Sequence, residues 1–299
     1  MVPAVSRIKI GLVGAGPWAN RVHAPSIAAH PRTELAGIWA RRDEAAQRVA
    51  GANGGQVFGS LEHLYASVDA VTFAVPPQVQ AEHALAAVRA GRHVILEKPI
   101  AASLESAERL VAAIEAAGVA SMVMLTRRFA DETRNWLTEI GEREDWQGGI
   151  GTWLSGALLG GEYRDSAWRH ERGALDDIGP HVLDLVDAAL GPITEVRAAQ
   201  HTADGLWQLL LGHQGGRTST VTLSLHVPVR PSRLKFTAIG PAGASSLEGR
   251  ETPAPDSFAM LLDEFTAMLD AGETRHACDA HRGLHLQRLL AEARERAGS

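Results

Sequence analysis

From residue 8 to residue 124 short apolar runs alternate with Ala-rich stretches of helical period. Segments 8–13, 35–40, 56–58, 70–75, 93–96 and 119–124 read as strands, and 18–30, 43–50, 61–66, 79–90 and 103–117 read as the helices between them. The runs "DAVTFAV" and "RHVILE" are apolar at consecutive positions, not alternate ones. Strands of that kind are buried on both faces, which requires helices on both sides of a parallel sheet. Ser103 and Ser106 mark a helix start, while Gly91 and Gly118 fall where C-terminal caps belong. The expected architecture over residues 1–124 is a doubly wound α/β domain.

Beyond residue 125 the rhythm changes. A helix over 131–140, a strand over 150–157, an irregular stretch to Ala174 and a helix over 178–190 precede four strand-like segments, 194–201, 206–212, 218–227 and 234–239. No helical pattern separates those four, and Gly and Pro turns, including Gly215-Gly216, join them. A second, α+β domain with a largely antiparallel open sheet is therefore expected over 125–299. Amphipathic helices over 256–269 and 280–297 close the chain as packing elements.

Composition narrows the function classes. The 299 residues are 45% hydrophobic and 21% charged, and at about 150 residues per domain they suggest two domains. The 29 basic and 35 acidic residues leave a formal charge of −6, which lacks the basic field of a nucleic-acid binder. No apolar run approaches the roughly 18 residues of a membrane span, and 8–13 is interrupted by Lys9 and Gly11, so neither insertion nor a signal-peptide core is expected. One cysteine, Cys278, supplies no internal disulfide and no cysteine zinc cluster; a reducing, cytoplasmic setting is the expectation.

Directly after the first strand stands Gly14-Ala15-Gly16-Pro17-Trp18-Ala19. It fits G-x-G-x-x-G/A: Gly14 permits the tight turn, Gly16 lets backbone approach a pyrophosphate, and Ala19 keeps the helix close to the sheet. The helix start adds free N–H groups and a positive partial charge. A dinucleotide-binding Rossmann domain follows. The second strand ends in Ala40-Arg41-Arg42, whereas Glu34, at the count of the usual ribose-binding acid, precedes that strand. Two cations at a helix N-terminus oppose its dipole unless a 2′-phosphate binds them, so NADP is favoured, with NAD the alternative. A solvated pair offset by Asp43 and Glu44 is the competing reading of Arg41 and Arg42.

Lys98 follows the fifth strand at the carboxyl edge of the sheet, where ligands of doubly wound folds bind. Its ammonium can steady an alcohol oxygen as hydride leaves the carbon; the plain alternative is a surface pair with Glu97. Asp177, His181 and Asp184 are spaced to share one helical face. His181 is suited to accept a hydroxyl proton while Asp177 orients the ring or meets the substrate. Against this, Asp177 can simply cap the helix, with Pro180 in its first turn, and Asp184 can merely support His181. The same triplet offers metal-ligand types, but with no second ligand cluster no metal is expected. His83 is read as structural.

Taken together, Gly14 to Ala19, "PWANRVHAP", Pro76-Pro77, "AGRHVILEKPIA" and "DIGPHVLD" make the chain resemble the Gfo/Idh/MocA oxidoreductases over nearly its whole length. The resemblance implies a nicotinamide-dependent enzyme with Lys98, Asp177 and His181 as catalytic groups and a sugar, polyol or related substrate lying between the domains. It makes Val75-Pro76-Pro77 a wall of the nicotinamide pocket, with Glu97 and Lys98 at the cofactor, and Trp168-Arg169 is similar to a family aromatic-Arg pair that approaches the cofactor or substrate, core packing of Trp168 being the alternative; Trp18, which opens the first helix beside the pyrophosphate loop, is read equally as packing or cofactor contact. It further implies a homo-oligomer formed through the C-terminal sheet. One departure is Glu171-Arg172-Gly173-Ala174 where the family often has a glycine cluster, a change able to narrow or recharge the pocket. Two other functions fit the same residues: a sugar-processing lyase or glycosidase with hidden redox, and a non-catalytic NADP-binding regulator.

Overall fold

A computed structural model describes residues 7–160 and 164–298. The chain forms two compact units, residues 1–126 with 253–284 and residues 127–252 with 285–299.

In the first unit six strands, β1 (Ile8–Val13), β2 (Thr33–Trp39), β3 (Gln56–Val57), β4 (Ala70–Phe73), β5 (His93–Leu96) and β6 (Ser121–Val123), form one sheet in the order β3-β2-β1-β4-β5-β6. All its ladders are parallel. Connections run outward from β1 in both directions, so the carboxyl ends of β1 and β4 frame the switch point where doubly wound sheets take ligands. Helices α1 (Ala24–Ala29), α2 (Asp43–Asn53), α3 (Leu61–Ala66), α4 (Pro77–Arg89) and α5 (Leu104–Ala117) link the strands. The expected first helix is not regular: a π-helical turn, Ala19–His23, precedes α1. Ser103 caps α5 by accepting from the Ser106 N–H at 3.2 Å, and Gly118 closes it in the left-handed region at φ +61°.

The second unit contains α6 (Asp131–Gly141), β7 (Gly148–Leu154), α7 (Ala167–Asp177), α8 (Gly179–Leu190), β8 (Ile193–His201), β9 (Trp207–His213), β10 (Thr218–Ser224), β11 (Arg233–Gly240) and β12 (Gly243–Glu248). Its sheet runs β12-β11-β7-β10-β9-β8, with β7 and β10 parallel and the other neighbours antiparallel. Helix α8 covers one face: a side chain at Gly151 would stand 2.9 Å from Val182. On the opposite face Ile150 is 49% exposed, and Leu210 and Ile239 are exposed beside it.

Three readings change. The stretch thought irregular contains α7, whose Gly173 at φ +69° breaks the helical path and hides its period. The polar, small-residue strand β12 carries no apolar signal at all, with only Leu247 buried. Helix α9 (Ala254–Asp270), expected in the 125–299 block, instead packs on α1 and the π turn of the first unit, burying Phe258, Leu261, Leu262 and Phe265 completely. The last helix, α10, is Ala280–Ala297.

Candidate active site

The turn after β1 is shaped by its glycines. Gly14 has φ +119°, which L side chains rarely adopt, and a Cβ there would meet the Ala74 carbonyl oxygen at 2.4 Å. A Cβ on Gly16 would meet nothing within 4 Å, so this backbone faces open space. The helical turn opens at Pro17 immediately afterwards. Asn20 locks the loop by donating to the carbonyls of Ala15 (3.0 Å) and Gly16 (2.8 Å), which leaves the first N–H groups of the turn for an anion. Close backbone approach, open space and a helix start are what a pyrophosphate requires, so these residues fit a dinucleotide.

Val75 lies beside Gly14: its Cγ1 is 3.1 Å from where a Gly14 Cβ would stand. Pro76 precedes α4 and Pro77 begins it. At the end of β2, Arg41 and Arg42 are exposed, and among the described residues neither guanidinium has an ion-pair or hydrogen-bond partner. Glu34 is the exposed second residue of β2, at the opposite end of that strand from the arginines. His83 is half-buried with its ring edge-on to Trp39 at 5.6 Å, and burial holds its pKa below the ordinary value against the opposing pull of Glu82. That is the environment of a structural histidine.

Glu97 and Lys98 leave the end of β5 half-buried, and the Lys98–Pro99 peptide is cis. The Glu97 side chain is not a surface partner for Lys98. Its Oε1 accepts from Trp18 Nε1 at 2.6 Å and lies 2.9 Å from His23 Nε2. Gln80, fully buried on α4, holds the backbone: its Oε1 accepts from the Glu97 N–H at 2.9 Å, and its Nε2 donates to the Glu97 carbonyl at 2.7 Å. Neither His23 nor Gln80 was expected here. His23 lies within "PWANRVHAP", which carried only the resemblance, and Gln80 has no signal because an amide in a helix is unremarkable until its strand partner is known.

In the second unit Asp177, His181 and Asp184 are all buried, at 8%, 6% and 0% exposure. Asp177 does not cap α8. It ends α7, with Ile178 between the two helices, and its Oδ2 accepts from Arg169 Nε at 3.0 Å. Arg169 also donates to Ser166 and lies over the Trp168 ring at 4.5 Å, so both belong to the first turn of α7. The His181 ring packs 5.7 Å from that of Trp153 on β7. Asp184 is paired with Arg128 at 3.1 Å, a contact that gives it a partner other than His181. A neighbouring cluster was also missed: Arg127, 1% exposed, meets Glu132 at 2.9 Å. Among the described residues no three His, Cys, Asp or Glu side chains form a group able to hold a metal, and no helix is long and apolar enough to cross a membrane.

A doubly wound parallel sheet with a glycine cradle at its switch point is the architecture of a Rossmann dinucleotide-binding fold. Residues 8–125 match the Gfo/Idh/MocA family model, described as oxidoreductase family, NAD-binding Rossmann fold. The chain is 28% identical over 191 residues to scyllo-inositol 2-dehydrogenase (NADP(+)) and 29% identical over 189 residues to glucose-6-phosphate 3-dehydrogenase, both of Bacillus subtilis. Each match covers 60% of this chain and about half of the relative, 51% and 52%. The WlbA dehydrogenase of Bordetella pertussis, solved with NADH and UDP-GlcNAcA, shares the fold at a TM-score of 0.84 over 98% of this chain and 97% of that one, with 24% identity.

Proposed function

We propose that the protein is an oxidoreductase that prefers NADP and moves hydride between nicotinamide and a secondary alcohol or carbonyl of a sugar, polyol or related small molecule. The observation that carries the cofactor half is the Gly14–Gly16 cradle at the β1/β4 switch point, with two arginines at the end of β2 that have no partner among the described residues. Relatives named for an inositol and a sugar phosphate support the substrate class.

The bound nicotinamide supplies the hydride acceptor or donor. Gly14, Gly16 and the turn opening at Pro17 receive the pyrophosphate, Arg41 and Arg42 pair with the 2′-phosphate, and Val75, Pro76 and Pro77 wall the ring. Trp18 and Glu97 border the same pocket. Lys98 donates a hydrogen bond to the substrate oxygen and stabilises its alkoxide character as the C–H bond gives up its electron pair. His181 takes the hydroxyl proton, so the alcohol loses one hydride and one proton and becomes a carbonyl; reduction reverses both transfers. Asp177 orients this step, itself held by Arg169. A homo-oligomer through the open face of the second sheet is part of the reading, supported by exposed Ile150, Leu210 and Ile239. So is a reducing cytoplasmic setting, supported by the single cysteine.

Fluorescence titration with NADPH and NADH tests the cofactor assignment. NADPH is expected to bind at least about tenfold tighter, and Arg41→Ala/Arg42→Ala to lose roughly 1–3 kcal/mol of that preference. Equal binding of both dinucleotides, or binding of neither, overturns it; a panel of cyclitols, aldoses and sugar phosphates with the preferred dinucleotide then tests the substrate class.

A further inference from the structure

His23 is the last residue of the π-helical turn and is fully buried, yet both ring nitrogens are engaged. Nε2 stands 2.9 Å from Glu97 Oε1 and Nδ1 stands 2.8 Å from the hydroxyl of Thr72, itself fully buried on β4. Phe258 of α9 closes over the ring at 4.4 Å. A carboxylate only accepts, so Nε2 carries the proton that meets Glu97. In the neutral ring Nδ1 then accepts, and the Thr72 hydroxyl must donate to it. π-helical turns inside α-helices concentrate at functional sites, and here the extra residue per turn brings an imidazole to the sheet.

The consequence falls on Lys98. The residue before it is gripped through its side chain by Trp18 and His23 and through its backbone by Gln80, which also donates to the carbonyls of Pro99 and Ile100 at 3.2 Å each. Those grips come from the turn after β1, from β4 by way of Thr72, and from α4. We propose that His23 is a positioning residue for Lys98: through Glu97 it fixes the end of β5 relative to the Trp18 turn, so that the dinucleotide loop and the lysine are set by one carboxylate. This rests on the reading of Lys98 as the group that meets the substrate oxygen, but its test does not need turnover. A histidine present only to fill space under Phe258 would not require a hydroxyl on one nitrogen and a carboxylate on the other.

The chain has three lysines, Lys9, Lys98 and Lys235, so each amine can be followed separately. Trace acylation with acetic anhydride, quantified by mass spectrometry, gives the Lys98 rate relative to the other two. His23→Gln places an amide near the Nε2 position and retains the contact to Glu97; His23→Asn reaches only toward Thr72. The Asn variant is expected to change the relative Lys98 rate by roughly threefold or more, as loss of one charge-assisted hydrogen bond warrants. The Gln variant should stay near the wild-type value, and the Lys9 to Lys235 ratio should be constant. Equal shifts in both variants, or none in either, overturn the proposal. Should His23→Asn not fold, Thr72→Val replaces it; removing the hydroxyl that holds Nδ1 must move the Lys98 rate in the same direction, and an unmoved rate overturns the proposal. A Lys98 rate that responds as expected in a protein that oxidises no alcohol leaves His23 as positioning residue and removes the oxidoreductase reading; turnover with an unresponsive Lys98 does the reverse.

Discussion

Glu132→Gln should unlock the second unit. The Glu132 carboxylate accepts from Arg127 at 2.9 Å, from the backbone N–H groups of Glu251 and Thr252 at 3.2 Å, and from the Thr252 hydroxyl at 2.5 Å. Burial pushes its pKa up, but the Thr252 hydroxyl, its own N–H, the Arg127 charge and the Glu251 N–H outweigh that and bring it from 4.5 to about 2. At about 1.36 kcal/mol per pH unit, a drop of roughly 2.5 units makes the ionised form worth about 3 kcal/mol to the folded state. Because the folded pKa is depressed, this stability is complete above pH 4.5 and is lost as the pH falls through about 2. The variant also leaves Arg127 buried without its counter-charge, and two of that guanidinium's nitrogens, Nε and Nη1, already have no partner among the described residues. Urea unfolding at pH 6.5 and below pH 2, followed through hydrogen exchange of peptides covering α6, reads the effect. A loss of about 3 kcal/mol at pH 6.5 that closes in acid is expected. A variant as stable as wild type at pH 6.5, or a gap that persists in acid, would refute the electrostatic reasoning.

Two further substitutions test local geometry. Gly14→Ala sets a Cβ against the Ala74 carbonyl oxygen in a left-handed conformation, so it should abolish dinucleotide binding measured by fluorescence, or destabilise the first unit by roughly 1–3 kcal/mol if the loop moves instead; unchanged binding and stability would contradict the cradle. Ser103→Ala removes the cap of α5 and should lower thermal stability by about 1 kcal/mol without altering NADPH affinity.

Much of the first unit was legible because parallel strands covered on both faces leave uninterrupted apolar runs such as "VTFAV", and because a glycine loop between strand and helix has few other uses. The second unit was legible only in outline. Gly173 disguised α7 by breaking its period, and that left capping of the following helix open as an alternative role for Asp177, which in fact closes the preceding one. β12 was hidden because its residues are small and polar. At the site, Lys98 and His181 stood out by residue type and position, whereas Gln80 and Thr72 act through partners far away in sequence: the Glu97 N–H, which Gln80 reaches 17 residues on, and the His23 ring, which Thr72 meets at a separation of 49. Local pattern carries no information about such pairs.

The return of residues 253–284 to the first unit bears on the order in which the protein can be completed during synthesis. Phe258 covers His23, and Phe265 and Leu261 are fully buried, so residues 1–126 alone lack part of their own interior. From residue 126 to residue 284 the ribosome must add 158 residues, which at roughly 5–20 residues per second takes about 10–30 s. All of the strands of the second unit emerge in that interval. The nascent six-stranded sheet therefore waits with an apolar flank uncovered until α9 emerges to pack on it.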